Sequence, residues 1–85
     1  MEDFIKFLNE SFGNEKVTFT FERLKVRYRI NRVDGQRSVY CFVNFDGNIL
    51  FPASWKTPTR SQPIRGHIIN DRSCCQRYSI KYLRG

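Results

Sequence analysis

The sequence predicts an α+β fold in which one N-terminal helix packs on an antiparallel meander of three or four strands, with a long proline-containing loop and a short C-terminal element. Three observations predict it. Apolar residues recur every fourth position at the start, the period changes to two from Lys16 onward, and two Asp-Gly pairs separate the later strands. The 85 residues are enough for a single small domain over 1–85.

The helix is predicted over residues 1–12. Its apolar stripe consists of residues at every fourth position: Phe4, Leu8 and Phe12. We expect Asp3 to cap its start and Gly13-Asn14 to end it. Because a helix this short is unstable alone in water, its apolar stripe is expected to dock on the sheet.

The first two strands are predicted from alternation that changes phase. Val17, Phe19 and Phe21 alternate with polar residues, and the apolar positions then shift to Leu24, Val26, Tyr28 and Ile30. A change of phase across Glu22-Arg23 indicates a tight hairpin, with a β-bulge as the alternative.

The later strands are separated by turn signals. Asp34-Gly35 and Asp46-Gly47 supply the positive φ values that short hairpins require, and they separate strands at 38–45 and 48–51. Consecutive apolar residues at 39–43 are typical of a strand covered on both faces, so this strand is expected to be central.

A long loop and an ambiguous tail follow. Residues 52–66 contain three prolines and no periodicity, as in a functional or mobile loop, and 67–69 could form a brief final strand. Residues 72–83 fit a helix or a strand equally well. Asp71 and Ser73 are possible caps, and Tyr78, Tyr82 and Leu83 would share a face.

Composition excludes several classes of protein. Hydrophobic residues are 40% and aromatic residues 15%, too many for a disordered tail, and no apolar run is long enough for a membrane span. The three cysteines, Cys41, Cys74 and Cys75, are a poor basis for a disulfide framework. Together with an acidic start at Met1-Glu2-Asp3, they favour a reducing cytoplasm and no membrane partner.

Charge is distributed unevenly along the chain. Residues 1–22 hold two bases and five acids, a net charge of −3, whereas residues 23–85 hold thirteen bases and three acids, a net charge of +10. In the second strand Arg23, Lys25, Arg27 and Arg29 recur at every second position, so a flat strand would place all four on one face.

These cations and the basic loop predict a nucleic-acid-binding surface, because Lys and Arg neutralise phosphates and Trp can stack on a base. The candidate residues lie on the strand and on the loop: Lys25, Arg27, Arg29, Trp55, Lys56, Arg60 and Arg65. Two structural alternatives stay open. The strand cations could form an ordinary solvated face, and Trp55 could be a packing anchor, with Arg65 pairing an acid such as Asp46 or Asp71.

Catalytic and metal chemistry find little support. His67 is the only histidine, and nothing in the spacing requires a dyad with Cys74 or Cys75. A zinc site from Cys41, the vicinal cysteines and His67 would lack the usual spacer between paired ligands. With no glycine-rich phosphate loop and no paired acids, we expect a protein without enzymatic activity or cofactor.

The second half of the chain resembles small bacteriophage-encoded proteins. The resemblance lies in a Gly-x-Ile turn at 47–49, an Ala-Ser-Trp-Lys-x-Pro run at 53–58 and an Arg-Gly-x-Ile stretch at 65–68. The ending at 78–83 is also similar, although a Pro-Tyr-Gly common there is replaced by Arg77-Tyr78-Ser79. No activity is established for that group. The resemblance implies an accessory or takeover protein in the cytoplasm of a bacterial host.

Three functions are compatible with these features. The leading hypothesis is a non-enzymatic accessory protein that binds DNA or RNA through phosphates. The alternative is an inhibitor that binds an acidic host protein, and the third is a virion or structural component. An exposed strand edge could also pair two copies into a homodimer.

Overall fold

A computed structural model describes residues 1–81 of the chain. The elements follow in the order α1 (Glu2–Phe12), β1 (Thr18–Arg23), β2 (Arg27–Asp34), β3 (Gln36–Asn44), β4 (Asn48–Leu50) and β5 (Ile64–His67). The strands form one sheet in the order β1-β2-β3-β4-β5, and every neighbouring pair is antiparallel. The predicted α+β fold is confirmed, with a fifth strand that begins three residues before the predicted 67–69 segment.

The helix packs its apolar stripe on one face of the sheet. Phe4 and Leu8 are buried against Phe19, Ile30 and other core residues from all of the first four strands. Tyr40 is also fully buried there, and its ring meets that of Phe19 edge-on with centroids 5.0 Å apart. The apolar periodicity of α1 is therefore core, as the sequence predicts.

The start of α1 differs from the expected cap at Asp3, whereas its end at Gly13 is as predicted. Ile5 N–H donates to the Met1 carbonyl at 3.1 Å, so the helix begins before Asp3, which lies inside the first turn and makes no capping bond. At the other end Gly13 adopts an extended backbone, and its N–H donates to Asn9 O at 2.9 Å. A Cβ at Gly13 would lie 2.6 Å from that oxygen, so the close approach requires glycine.

Asn9 joins the helix to the outer edge of the sheet. Its Oδ1 accepts from Phe19 N–H at 2.8 Å, and its Nδ2 donates to Phe19 O at 3.0 Å and to Ile5 O at 3.2 Å. The side-chain amide thus pairs with β1 as a neighbouring strand would. It satisfies backbone groups that point away from β2, which are otherwise a template for edge-to-edge association.

Replacing Asn9 with alanine is expected to lower the free energy of unfolding by about 1–3 kcal/mol, because it leaves the N–H and C=O of Phe19 without partners. Chemical denaturation measures this loss. The comparison variant is Asn9→Asp, which keeps an acceptor for Phe19 N–H but replaces the donor with a carboxylate oxygen that faces the carbonyls of Phe19 and Ile5. Equal stability of Asn9→Ala and wild type would contradict the role assigned to the amide.

The first hairpin turns later than predicted. Leu24 N–H donates to Arg27 O at 2.8 Å, so the turn spans 24–26 rather than Glu22-Arg23. Arg23 pairs with Tyr28 and shares its face on the helix side, whereas Arg27 and Arg29 belong to the opposite face. The expectation that all four cations share a face is therefore wrong, because the turn separates them.

A β-bulge reorganises the central strand. Ile30 pairs with Cys41 but Asn31 pairs with Val39, so Tyr40 is an extra residue opposite β2. As a result, Val39 and Phe42 lie on the same face although they are three positions apart. The prediction of a central strand covered on both sides is confirmed, since 40–43 are all buried.

The C-terminal segment forms neither of the two predicted structures. Residues 72–81 contain turns and one isolated bridge between Cys75 and Ile80. The segment is held by Tyr40, whose hydroxyl donates to Gln76 O at 2.5 Å and accepts from Gln76 N–H at 3.0 Å. Tyr82 and Leu83, which the sequence places on a face with Tyr78, lie outside the described residues.

Candidate nucleic-acid interface

Two of the candidate residues, Arg27 and Arg29, lie on the face of the sheet opposite α1, and the loop that carries Trp55, Lys56 and Arg60 contacts this face through Trp55. We call this face the open face, and the strand register places on it Glu22, Arg27, Arg29, Asn31, Arg37, Phe42 and Leu50. A loop at 51–63, here called the Trp55 loop, folds across this face. Within residues 1–81, Glu22 is the one acid that the strands present here.

Arg29 lies at the centre of the open face and fixes the loop. Its Nε and Nη2 both donate to Glu22 Oε1, at 3.1 and 2.9 Å, and its Nη1 donates to the Trp55 carbonyl at 3.1 Å. The guanidinium carbon stacks 3.9 Å from the centroid of the Trp55 ring. With 11% of its side chain exposed, Arg29 is a structural clamp whose hydrogen-bonding capacity is largely used within the protein.

Glu22 is held ionised by this arrangement. The hydrogen bond from Arg29, then that from Asn31 Nδ2 at 3.2 Å, lower the pKa of the Glu22 carboxyl from its usual range. Its charge is neutralised by Arg29, so the remaining cations of the open face determine its net potential.

The Trp55 loop is internally braced. Phe51 N–H donates to Pro63 O and Thr59 N–H donates to Phe51 O, both at 2.8 Å, and Pro52 and Pro58 form a bridge between the two arms. Trp55 is half-buried at the turn and lies on Arg29. Trp55 therefore packs against the sheet with one part of its ring and leaves another part at the surface, so a packing role and a contact role are compatible.

The other candidate cations have different environments. Lys25, Lys56 and Arg60 are exposed in the first turn and in the loop, and Arg27 lies 5.9 Å from the Phe42 ring centroid. Arg65 folds back, stacks 4.9 Å from the Phe51 ring centroid and donates to the Gln62 carbonyl. The ion pair with Asp46 or Asp71 that the sequence allowed is not formed within residues 1–81. The guanidinium of Arg65 points instead toward Phe51 and Gln62, near the two ends of the Trp55 loop.

Arg37 also belongs to this surface, although local alternation in the sequence does not indicate it. Its guanidinium carbon lies 5.3 Å from the Trp55 ring centroid, and it pairs in register with Val33 on the open face. The missing signal is the bulge at Tyr40. Without that extra residue, strict alternation would place Arg37 and Phe42 on opposite faces.

Cys41 is part of the core, and His67 makes hydrogen bonds to backbone groups of two turns. Cys41 is fully buried in the core, which raises the pKa of its thiol well above the usual value. His67 Nδ1 accepts from the N–H groups of Ile69 and Asn70, and its Nε2 pairs with Asp46 O at 2.9 Å, so the ring organises two turns. In the described part of the chain, no three His, Cys, Asp or Glu side chains come close enough together to hold a metal ion.

Comparison with known proteins identifies no relative: no family model, curated protein or solved structure matches the chain. Among residues 1–81, no helix combines the length and the apolar character needed to cross a bilayer.

Proposed function

We propose that the protein binds the phosphate backbone of DNA or RNA through the open face and the Trp55 loop, as a non-enzymatic accessory protein in the cytoplasm of a bacterial host. One observation carries the proposal. The cations around Trp55 have no acid within ion-pairing distance in the described chain, except Arg29, which neutralises the one acid beside it.

The chemistry of this surface fits a polyanion better than an ordinary solvated face. A solvated face usually interleaves both signs of charge, whereas Arg27, Arg37, Lys56 and Arg60 contribute four positive charges without a free carboxylate between them. Such a surface gains binding free energy by releasing counterions from phosphates. Free thiols at Cys41, Cys74 and Cys75 are compatible with a reducing compartment.

The roles of the residues differ in this proposal. Arg27, Arg37, Lys56 and Arg60 contact phosphates, with Lys25 at the end of the surface. Arg29 and Arg65 hold the loop in place, and the exposed part of Trp55 provides a stacking surface for a base.

The logarithm of the binding constant is expected to fall linearly with the logarithm of the salt concentration. Each contact removed from the open face should reduce the slope by about 0.9 on duplex DNA or about 0.7 on single strands. The measurement is fluorescence anisotropy of labelled duplex and single-stranded oligonucleotides with wild type, Lys56→Gln and Arg37→Gln. The matched control is Lys6→Gln, which removes an exposed cation from the helix on the other side of the sheet.

Two outcomes would overturn this proposal: no binding to any nucleic acid at low salt, or a slope that Lys6→Gln lowers as much as Lys56→Gln does. The protein-binding alternative then gains, because Val26 and Phe45 are exposed apolar side chains at the end of the sheet. Recovery of one stoichiometric host protein from nuclease-treated lysate would favour it.

A further inference from the structure

A separate pocket opens on the helix side of the sheet, away from the open face. It has a volume of about 170 Å³ and lies between the end of α1, the connection to β1, the end of β2 and the C-terminal segment. Its cationic and aromatic lining comes from Phe12, Lys16, Arg32, Arg77 and Tyr78. None of these residues belongs to the open face or to the Trp55 loop.

The pocket has an excess of positive charge. Asp34 is the one acid in its lining, and its Oδ2 is ion-paired with Arg32 Nη1 at 3.5 Å. Lys16 and Arg77 have no carboxylate within 4 Å among residues 1–81. Two cations in the lining are thus available to an anionic ligand.

The polar groups of the lining are predominantly donors. Asn14 Oδ1 already accepts from the N–H groups of Lys16 and Val17, at 2.8 and 3.0 Å, which leaves its Nδ2 as a donor. Arg32 Nε donates to Arg77 O at 3.2 Å, and Arg32 Nη1 forms the ion pair with Asp34. The third nitrogen of this guanidinium, Nη2, has no partner among residues 1–81. A ligand rich in acceptors, such as a phosphate, satisfies these groups.

Aromatic rings add a preference for a planar group. Arg32 stacks 5.0 Å from the centroid of the Tyr78 ring, and that residue is 73% exposed, so much of its ring is open to a ligand. Phe12 contributes a second ring to the lining. The volume is below the roughly 300 Å³ at which sites for drug-sized molecules begin, so the pocket can enclose a group the size of a phosphate and leaves the rest of a larger ligand on the exposed Tyr78 ring.

We propose that this pocket binds a phosphate monoester attached to a nucleoside. Lys16 and Arg77 contact the phosphate, with Asn14 Nδ2 and Arg32 Nη2 as further donors, and Tyr78 stacks on the base. The ligand is either a free nucleotide or the phosphorylated 5′ end of a nucleic acid chain, which present the same chemistry. The proposal does not depend on binding at the open face.

The test is isothermal titration calorimetry with three probes: inorganic phosphate, adenosine and adenosine 5′-monophosphate. The monophosphate is expected to bind best and adenosine worst. The variant Lys16→Gln/Arg77→Gln should weaken binding of the monophosphate by about tenfold or more, because it removes two charge-assisted contacts. Tyr78→Ala should weaken the monophosphate more than inorganic phosphate. Lys6→Gln/Arg23→Gln is the matched control, because it removes two exposed cations that belong neither to the pocket nor to the open face, and it should leave binding unchanged.

A second arm identifies the source of the phosphate. Short oligonucleotides that carry a 5′-phosphate or a 5′-hydroxyl are compared on wild type and on Lys16→Gln/Arg77→Gln. If wild type prefers the 5′-phosphate and the variant does not, the ligand is the end of a nucleic acid chain. If wild type shows no such preference but binds adenosine 5′-monophosphate, the ligand is the free nucleotide. The proposal is overturned if adenosine binds as well as its monophosphate, or if the pocket variant, folded by circular dichroism, binds like wild type.

Discussion

Replacing Arg29 with methionine is expected to lower the free energy of unfolding by about 2–3 kcal/mol and to release the Trp55 loop from the sheet. The change removes the ion pair with Glu22, the hydrogen bond to the Trp55 carbonyl and the guanidinium stacked on the ring. Loss of one partner of a buried pair costs about 3–5 kcal/mol. The expected figure is smaller because Glu22 is 37% exposed and water can solvate it.

Two measurements test the effect of Arg29→Met on stability and on the position of the Trp55 loop. Urea denaturation gives the change in stability, and the fluorescence of Trp55, the single tryptophan, reports on the loop directly. The emission of Arg29→Met should shift to longer wavelength in the native state as the ring becomes solvated. Arg23→Met is the matched control, because Arg23 is exposed, lies over the Phe45 ring and has no acid partner in the described chain. Its cost should be within about 0.5 kcal/mol of zero.

The acid limb of the stability curve provides an independent check. The pKa of Glu22 is lowered in the folded protein, so its ionisation stabilises the fold above the unfolded pKa of about 4.3 and this contribution is lost as pH falls. Arg29→Met should flatten the acid limb. If Arg29→Met and Arg23→Met destabilise the protein equally and leave the acid limb unchanged, the clamp has no energetic role.

The clamp also shows why part of the candidate site was accessible from the sequence and part was not. Arg27, Arg29 and Trp55 stand out by residue type and by local spacing, and the fold brings Arg29 and Trp55 together. That Arg29 is tied to Glu22 depends on the hairpin turning at 24–26, which no glycine or proline marks. A one-residue difference in register exchanges the faces of a strand.

The helix and the later turns could be predicted because their signals are local in the sequence. The stripe of α1 and the Asp-Gly turns involve residues close in sequence, and Gly35 and Gly47 have φ of 74° and 91°, as such turns require. The bulge at Tyr40 depends on partners far along the chain. The Tyr40 hydroxyl bonds both backbone groups of Gln76, so its position serves the C-terminal segment rather than the local alternation.

Two buried residues, Cys41 and Tyr40, predict that the stability of the protein declines at alkaline pH. Burial raises the pKa of the Cys41 thiol well above its usual value, and burial also raises the pKa of the Tyr40 hydroxyl. Both groups stay protonated in the folded protein when the unfolded chain has already lost the proton. Their contributions are therefore complete below the unfolded pKa values, about 8.5 for Cys and 10 for Tyr, and are lost as pH rises beyond them.

The neighbouring thiols do not reverse this trend. Cys74 and Cys75 share a hydrogen bond that lowers the pKa of Cys74 and raises that of Cys75, so their contributions to the pH dependence oppose each other. Cys41 therefore makes the free energy of unfolding decline as pH rises above the unfolded pKa of about 8.5.

Urea denaturation at intervals from pH 7.5 to pH 11 (about the range of thiol and phenol titration) measures the expected decline. Cys41→Ala should cost about 1–2 kcal/mol near neutral pH, because it removes a buried atom, yet its stability should decline less steeply from about pH 8.5. Tyr40→Phe should differ from wild type in slope only above about pH 10. The two variants are thus each other's control, because the onset of the effect identifies the titrating group. Parallel curves for wild type and Cys41→Ala over this range would show that the buried thiol does not drive alkaline unfolding.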